Sequence, residues 1–161
     1  MLSKDILSSV LARCLITGGD FAEIFEEDTK NTSISILNGK VENSISGRTH
    51  GIGIRIFKGF KSIYAYTNNR DLSSLLDTAE KAALALGELK EDISVVLNRK
   101  EVYNNNPIIY IPSSISIDKK ISVMKAGYKA AKEYHDEISQ VSVGYLDKEQ
   151  NILIANTEGL L

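Results

Sequence analysis

The chain has 161 residues and a formal net charge of −2, with 43% hydrophobic and 25% charged residues. This composition is typical of a globular protein and excludes collagen-like, low-complexity and wholly disordered classes. A single cysteine excludes an internal disulfide and any cysteine-rich zinc site. The near-neutral charge predicts no nucleic-acid partner, and the short apolar runs predict no membrane span. Because the first residues lack the layout of a signal peptide, we expect a cytoplasmic protein.

The first predicted element is an amphipathic helix from Leu2 to Leu15, with Ser3 as its N-cap. Between residues 20 and 67 apolar and polar residues alternate, which predicts an antiparallel meander of about five half-buried strands. The pair Asn38–Gly39 predicts a type I′ hairpin turn, because both residues tolerate a positive φ.

A second helix is predicted from Asp71 to Leu86, and a third follows Ser116. The pattern is weaker between residues 88 and 116, where Ile93–Leu97 predicts a short strand. Two strands, 138–146 and 151–155, are expected to close the chain as a hairpin. A helix then precedes a hairpin near both ends, which suggests a structural repetition. The predicted fold class is therefore α+β, with an antiparallel β-meander sheet packed with about three amphipathic helices in one domain, 1–161.

Two glycines alternate with isoleucines on one predicted strand, at Gly51 and Gly53, and Arg55 lies on the same strand face. Glycines in a strand suggest that another group packs closely against them. A guanidinium binds carboxylates in a planar two-bond geometry, although a surface salt bridge or an edge charge is an alternative role for Arg55. Tyr66 is predicted on the outward face of the next strand. We therefore take Arg55 and Tyr66 as candidates for contact with a peptide or a partner domain.

The remaining reactive side chains indicate no catalytic constellation and no metal or cofactor site in this chain. Cys14 lies on an apolar helix stripe, which favours a core residue. His50 is predicted in a solvated turn and His135 at a helix C-terminus, where a cap is favoured. An acidic run is interpreted as a charged strand end, and an acid–base pair of carboxylates is the alternative. That run comprises Glu23, Glu26, Glu27 and Asp28.

Several short motifs, taken in order, resemble those of the TldD/PmbA family, also called modulators of DNA gyrase. They are Gly18–Glu23, Asn38–Glu42, Gly51–Arg55, Ala65–Asn68, Asp147–Gln150 and Ile154–Gly159. The Gly-x-Gly-x-Arg strand followed by Ala-Tyr-Thr-Asn is more similar to the TldD branch than to the PmbA branch.

The resemblance implies the N-terminal, non-catalytic domain of a zinc metallopeptidase that cleaves unstructured peptides. Such a domain is expected to shape the substrate chamber and to take part in pairing with a PmbA-like or identical subunit. The family's zinc ligands, a His-Glu-x-x-x-His helix and a later Cys, belong to a C-terminal domain and do not occur in this sequence. We therefore expect zinc in that other domain, no cofactor in this chain, and no activity of this chain alone.

The chain ends on Leu160 and Leu161 directly after a predicted strand, which leads us to expect a shortened form of a longer protein. Two alternatives to the peptidase domain stay open. One is a free-standing protein- or peptide-interaction module without catalysis, and the other is an unrelated enzyme that uses the acidic run between Glu23 and Asp28.

Overall fold

The computed structural model describes residues 1–87, 94–99 and 105–161. Within these residues the strands form a four-stranded sheet in the order β3-β2-β1-β4. The sheet is antiparallel and is accompanied by three α-helices, so the predicted α+β class is confirmed. The elements are α1 (Lys4–Cys14), β1 (Phe21–Leu37), β2 (Lys40–Lys58), β3 (Lys61–Thr67), α2 (Leu72–Leu84), a 3-10 turn (Pro112–Ser114), α3 (Ile117–Lys132) and β4 (Ser142–Asn156).

Packing divides the chain into two compact units. Unit 1 comprises Met1–Asp28, His50–Tyr103 and Asn151–Leu161, and unit 2 comprises Thr29–Thr49 and Asn104–Gln150. Strands β1, β2 and β4 each contribute residues to both units, whereas the sequence pattern predicted one domain. None of the helices in the described ranges is long and apolar enough to cross a lipid bilayer.

Unit 1 has its core on one face of the sheet, where α1 and α2 pack. Helix α1 begins as predicted, with the Ser3 hydroxyl accepting a hydrogen bond from the Ile6 N–H at 3.5 Å. Alternate side chains of β2 point towards the helices, because successive residues of a strand face opposite sides. The shared core includes Leu7, Val10, Leu11, Cys14, Ile52, Ile54, Ile56, Leu75, Ala79 and Ala83.

Unit 2 has a smaller core, in which Met124 of α3 packs against Ile34 and Ile36 of β1. Helix α3 begins as predicted after Ser116, whose hydroxyl accepts a hydrogen bond from a backbone N–H of the first turn. The β1–β2 turn has positive φ angles at both Asn38 (47°) and Gly39 (79°). These are the signs that a type I′ turn requires, so the predicted turn is confirmed.

The strands are fewer and longer than predicted. About five strands were expected between residues 20 and 67, but the structure has three, because β1 runs unbroken from Phe21 to Leu37 and β2 from Lys40 to Lys58. Gly47 and Gly51 lie inside it in ordinary extended backbone, since neither has a positive φ.

The hairpin predicted between residues 138 and 155 is wrong, since residues 142–156 form the single strand β4. Asp147, Lys148 and Glu149 continue that strand, and none of them adopts the positive φ of a tight hairpin turn. The expected second helix–hairpin unit is therefore not formed. The predicted strand Ile93–Leu97 begins outside the described residues, and residues 94–97 form no strand. The next residue, Asn98, makes an isolated parallel bridge with Leu160.

Candidate functional site

The face of the unit 1 sheet that points away from α1 and α2 carries the residues singled out from the sequence. Ile52, Ile54 and Ile56 are buried beneath the helices, so Arg55 and Phe57 project to the opposite side. Strand β3 extends this face, because its pairing with β2 places Tyr64 opposite Arg55 and Tyr66 opposite Gly53.

Contacts between these side chains join them into one surface. The Arg55 guanidinium carbon lies 5.2 Å from the centre of the Phe57 ring, which is a cation–π contact. The Phe57 ring in turn lies 6.0 Å from that of Phe21, at an interplanar angle of 55°. We call this surface the aromatic face; it comprises Phe21, Gly53, Arg55, Phe57, Tyr64 and Tyr66.

Gly53 has a specific role in the aromatic face. The ring of Tyr64 lies directly over it, so a Cβ added at Gly53 would be 3.0 Å from Tyr64 Cε2. Only a residue without a side chain permits that approach, which agrees with the close packing predicted from the glycines. At Gly51, in contrast, an added Cβ would meet no atom within 4 Å. No sequence signal had indicated that Tyr64 covers Gly53.

Arg55 and Tyr66 are both on the outward face, as predicted. Tyr66 is 81% exposed and Tyr64 is 64% exposed, so the rings present large apolar areas to solvent. Arg55 is exposed and has no carboxylate partner among the described residues, which leaves its charge available to a ligand. The alternative role of Arg55 in a surface salt bridge is therefore not seen there, and its contact with a peptide or partner domain stays a prediction.

Unit 1 also holds a buried carboxylate, Glu26, on the inner side of β1. Its Oε2 accepts a hydrogen bond from the Leu2 N–H at 2.6 Å. Its Oε1 lies 3.1 Å from His50 Nε2 and 3.3 Å from Arg70 Nε. Glu26 therefore links the chain segment before α1, strand β2 and the loop before α2.

The acidic run does not form one cluster. Glu26 is fully buried on the inner side of β1, whereas Glu23 lies at an outward position three residues earlier. His50 is part of strand β2 and bonds to Glu26, so its prediction as a solvated turn residue is wrong. The alternation Ala22, Ile24, Glu26 was the signal that placed Glu26 inside.

In unit 2 a buried lysine pairs with an aspartate. Lys120 of α3 is 4% exposed, and its Nζ lies 2.7 Å from Asp147 Oδ2 in β4. The Tyr145 hydroxyl donates to the same carboxylate at 2.7 Å, and Lys120 Nζ lies 5.6 Å from the centre of that ring. Lys120 also donates to Thr32 Oγ1 at 3.5 Å. The cluster joins α3 to β1 and β4.

The charges of this cluster shift the pKa of two of its members. Burial by itself raises the pKa of Asp147, but the hydrogen bonds from Lys120 and Tyr145, the charge of Lys120 and a bond from Thr32 outweigh it and lower the pKa. The hydrogen bond to Asp147 raises the pKa of Tyr145, and burial and the charge of Asp147 add to that effect. Tyr145 was not singled out from the sequence, and Asp147 was noted only as part of the family motif Asp147–Gln150.

Two other candidates have structural explanations. Cys14 is buried in the unit 1 core, and burial raises the pKa of its thiol to about 12, so it is not a thiolate at neutral pH. His135 lies beyond the end of α3, and its Nδ1 accepts the Glu137 N–H at 3.2 Å instead of capping the helix. In the described part of the chain, no group of three or more His, Cys, Asp or Glu side chains is arranged to hold a metal ion.

Comparison with known families identifies two consecutive matches in this chain. Residues 22–86 match the model of PmbA/TldA metallopeptidase domain 1, and residues 110–161 match that of the PmbA/TldA metallopeptidase central domain. The chain belongs to the PmbA/TldD metallopeptidase family. The resemblance stated from the sequence motifs is thereby confirmed.

Curated relatives of this family member carry metalloprotease names. The chain is 26% identical over 147 residues to a metalloprotease of Methanothermobacter thermautotrophicus, which covers 88% of this chain and 31% of that protein. It is 23% identical over 149 residues to the metalloprotease TldD homolog of Haemophilus influenzae, covering 88% of this chain and 30% of that protein. The chain thus spans about a third of the length of these relatives.

Solved structures share the fold of this PmbA/TldD family member. A protein described as a modulator of DNA gyrase from Bacteroides thetaiotaomicron superimposes with a TM-score of 0.69 at 18% identity, covering 99% of this chain and 38% of that one. TldE from Thermococcus kodakarensis superimposes with a TM-score of 0.53 at 18% identity, covering 88% and 32%. At these identities the likeness establishes the fold alone.

Proposed function

We propose that this chain is the N-terminal, non-catalytic part of a TldD-like zinc metallopeptidase that cleaves unstructured peptides in the cytoplasm. In this proposal it shapes the chamber that admits the peptide and takes part in pairing with a PmbA-like or identical subunit. The zinc ion is held by residues outside this chain. The observation that carries the proposal is the ordered match of a metallopeptidase domain 1 followed by a metallopeptidase central domain.

The aromatic face supplies the chemistry that a loosely specific peptide site needs. Exposed tyrosine rings bury apolar side chains of many kinds at a low cost in conformational entropy, because each ring has few rotatable bonds. The Arg55 guanidinium attracts acidic side chains or a terminal carboxylate, and its contact with Phe57 holds it above the sheet. Strand β3 forms the adjoining edge of the sheet, where an extended peptide has backbone groups to pair with.

Peptide binding by this surface is testable with the 161-residue chain. We expect an unstructured, acidic, fluorescently labelled peptide to bind with a measurable rise in anisotropy and to remain uncleaved when zinc is added. Arg55→Ala and Tyr66→Ala are each expected to weaken binding about tenfold, because each removes an exposed anchor of the site. A peptide in which lysines replace the acidic residues should bind more weakly and lose its dependence on Arg55.

Tyr134→Ala is the matched control, because Tyr134 is 85% exposed in unit 2 and lies outside the aromatic face. Its affinity for the peptide should equal that of the wild type. Unchanged affinity in both Arg55→Ala and Tyr66→Ala would remove the aromatic face from the proposal. Zinc-dependent hydrolysis by the chain alone would contradict its non-catalytic role.

A further inference from the structure

Unit 2 contains a cavity of about 540 Å³ that the proposed function does not use. Three segments line it: Lys30–Thr32 of β1, Ser46–Arg48 of β2, and residues between 113 and 120, which include the start of α3. All of these residues belong to unit 2, and we call the space that they line the unit 2 cavity. Its volume lies in the range of sites that hold small molecules.

The lining of the unit 2 cavity is cationic. Lys30, Arg48 and Lys120 contribute to it, and none of the described lining residues is a carboxylate. Arg48 already interacts within the chain, so we assign it no contact with a ligand. Lys30 Nζ lies 3.8 Å from a Glu149 oxygen and its side chain is 45% exposed. Such an exposed ion pair is weak, so the charge of Lys30 still attracts an anion.

Lys120 is a buried cation of this lining. An ammonium group has three N–H donors. Asp147 and Thr32 are its acceptors in the part of the chain that the structure describes, which leaves one donor without an acceptor there. Asp147 holds the ammonium group in place at 2.7 Å, and Lys120 forms part of the cavity wall. An anion in the cavity therefore supplies the acceptor that this buried donor lacks.

Uncharged donors add to the cationic ones. Asn31, Ser46 and Ser113 line the cavity with amide or hydroxyl groups, and none of these groups bonds to another residue in the described ranges. Donors from several directions suit the tetrahedral oxygens of a phosphate, whereas a planar carboxylate is matched best by the paired N–H groups of arginine. Ile115 and Ile117 add apolar surface to the lining. The cavity therefore suits a phosphate that is attached to a small organic group.

Gly47 leaves room within this lining. Its φ is not positive, so the backbone does not require glycine there. A Cβ added at Gly47 would lie 2.9 Å from Asn31 Oδ1, and both residues line the cavity. A larger side chain at this position would therefore take up space that a ligand needs.

We propose that the unit 2 cavity binds a small organic phosphate, with the phosphate group on Lys30 and Lys120 and the organic group against Ile115 and Ile117. The carboxylates that pair with the two lysines neutralise part of their charge, so the dissociation constant lies in the millimolar range. This site belongs to unit 2, whereas the aromatic face belongs to unit 1, so the proposal does not depend on peptide binding.

An NMR titration of the isotope-labelled 161-residue chain tests this proposal at a constant low ionic strength. Phenyl phosphate is expected to give saturable shifts of amide signals from the three lining segments. Inorganic phosphate should bind more weakly, because it lacks the organic group. Isophthalate, a carboxylate dianion of the same charge, should bind about tenfold more weakly than phenyl phosphate.

Two variants locate the ligand and leave the buried Lys120–Asp147 pair in place. Lys30→Ala should raise the dissociation constant of phenyl phosphate about tenfold, because it removes a charge from the lining. Its matched control is Lys129→Ala, which removes an exposed lysine of α3 that also lies 3.8 Å from a carboxylate. That control should bind phenyl phosphate as the wild type does.

Gly47→Val changes the space of the cavity but not its charge, and it should raise the dissociation constant at least about tenfold. Gly51→Val is its control, because Gly51 lies in the same strand but in unit 1, and an added Cβ there meets no atom within 4 Å. The amide spectrum of each variant verifies that it is folded. Absence of saturable binding overturns the proposal, as does binding that Lys30→Ala and Gly47→Val leave unchanged. Isophthalate binding as tight as that of phenyl phosphate overturns the assignment to phosphate.

Discussion

Two carboxylates that are removed from water, Glu26 in unit 1 and Asp147 in unit 2, each gather several hydrogen-bond donors. Removing a charge from water is costly unless donors and opposite charges replace the lost hydration. Groups from three separate chain segments contact the Glu26 carboxylate. Lys120 and Tyr145 contact the Asp147 carboxylate. Both residues therefore hold elements together.

Glu26→Ala is expected to lower the free energy of unfolding by about 2 kcal/mol, because it leaves the buried Leu2 N–H without its acceptor and His50 and Arg70 without their partner. Urea unfolding followed by circular dichroism measures this loss. Glu23→Ala, an outward position of the same strand, should stay within about 0.5 kcal/mol of the wild type. Equal losses in the two variants would show that the Glu26 contacts contribute nothing specific.

The lowered pKa of Asp147 makes its contribution to stability dependent on pH. Because the folded-state value lies below the unfolded value of about 3.9, the contribution is fully present above that value. It is lost as the pH falls through the folded-state pKa. Asp147→Asn should therefore cost about 1–2 kcal/mol at neutral pH and much less in strong acid.

Urea unfolding of Asp147→Asn and the wild type at a series of pH values checks this prediction. Asp136→Asn, at an exposed position of unit 2 after α3, is the control and should change stability by less than about 0.5 kcal/mol at any pH. A difference between Asp147→Asn and the wild type that is constant with pH would mean that the charge of Asp147 is not what stabilises the cluster.

Among the elements, the β1–β2 hairpin depends most directly on local sequence. Its turn needs two residues with positive φ, and Asn38 and Gly39 supply them at 47° and 79°. Tertiary packing adds a second constraint, since a Cβ at Gly39 would lie 2.9 Å from Tyr128 Cε1 of α3. Gly39 is thus restricted both by its backbone and by its neighbour.

Gly39→Ala is expected to destabilise the protein by about 1–2 kcal/mol, because alanine is strained at positive φ and its methyl group meets Tyr128. The matched control is Gly127→Ala inside α3, where an added Cβ meets nothing within 4 Å. That change should stabilise the protein by about 0.5–1 kcal/mol, since alanine favours the helix. Thermal unfolding of both variants measures the opposite shifts; shifts of the same sign would contradict the argument.

For the whole molecule, the compact units and the matched family domains divide the chain differently. Domain 1 and the central domain match consecutive segments, residues 22–86 and 110–161. The compact units instead alternate along the chain, because β1, β2 and β4 each contribute residues to both units. The family-domain matches therefore divide the chain into consecutive segments. Each compact unit, in contrast, combines segments that are separate in the sequence.

Much of the architecture was predictable from local signals. Helix starts at Ser3 and Ser116, the turn at Asn38–Gly39 and the outward placement of Arg55 and Tyr66 were all predicted correctly. Each of these depends on residues close together in sequence, through capping, periodicity or the φ angle that a residue tolerates. The order of short motifs was also sufficient to identify the family.

The sequence by itself determined the fold class, the caps, the tight turn and the family of this protein. Only the tertiary structure decided that β2 and β4 are single long strands, that Tyr64 covers Gly53, and which partners the buried Glu26 and Lys120 meet. The physical reason is that the residues in contact lie far apart in the sequence. Glu26 meets His50 across 24 residues, and Lys120 meets Thr32 across 88, so neither contact leaves a periodic signal in the local sequence.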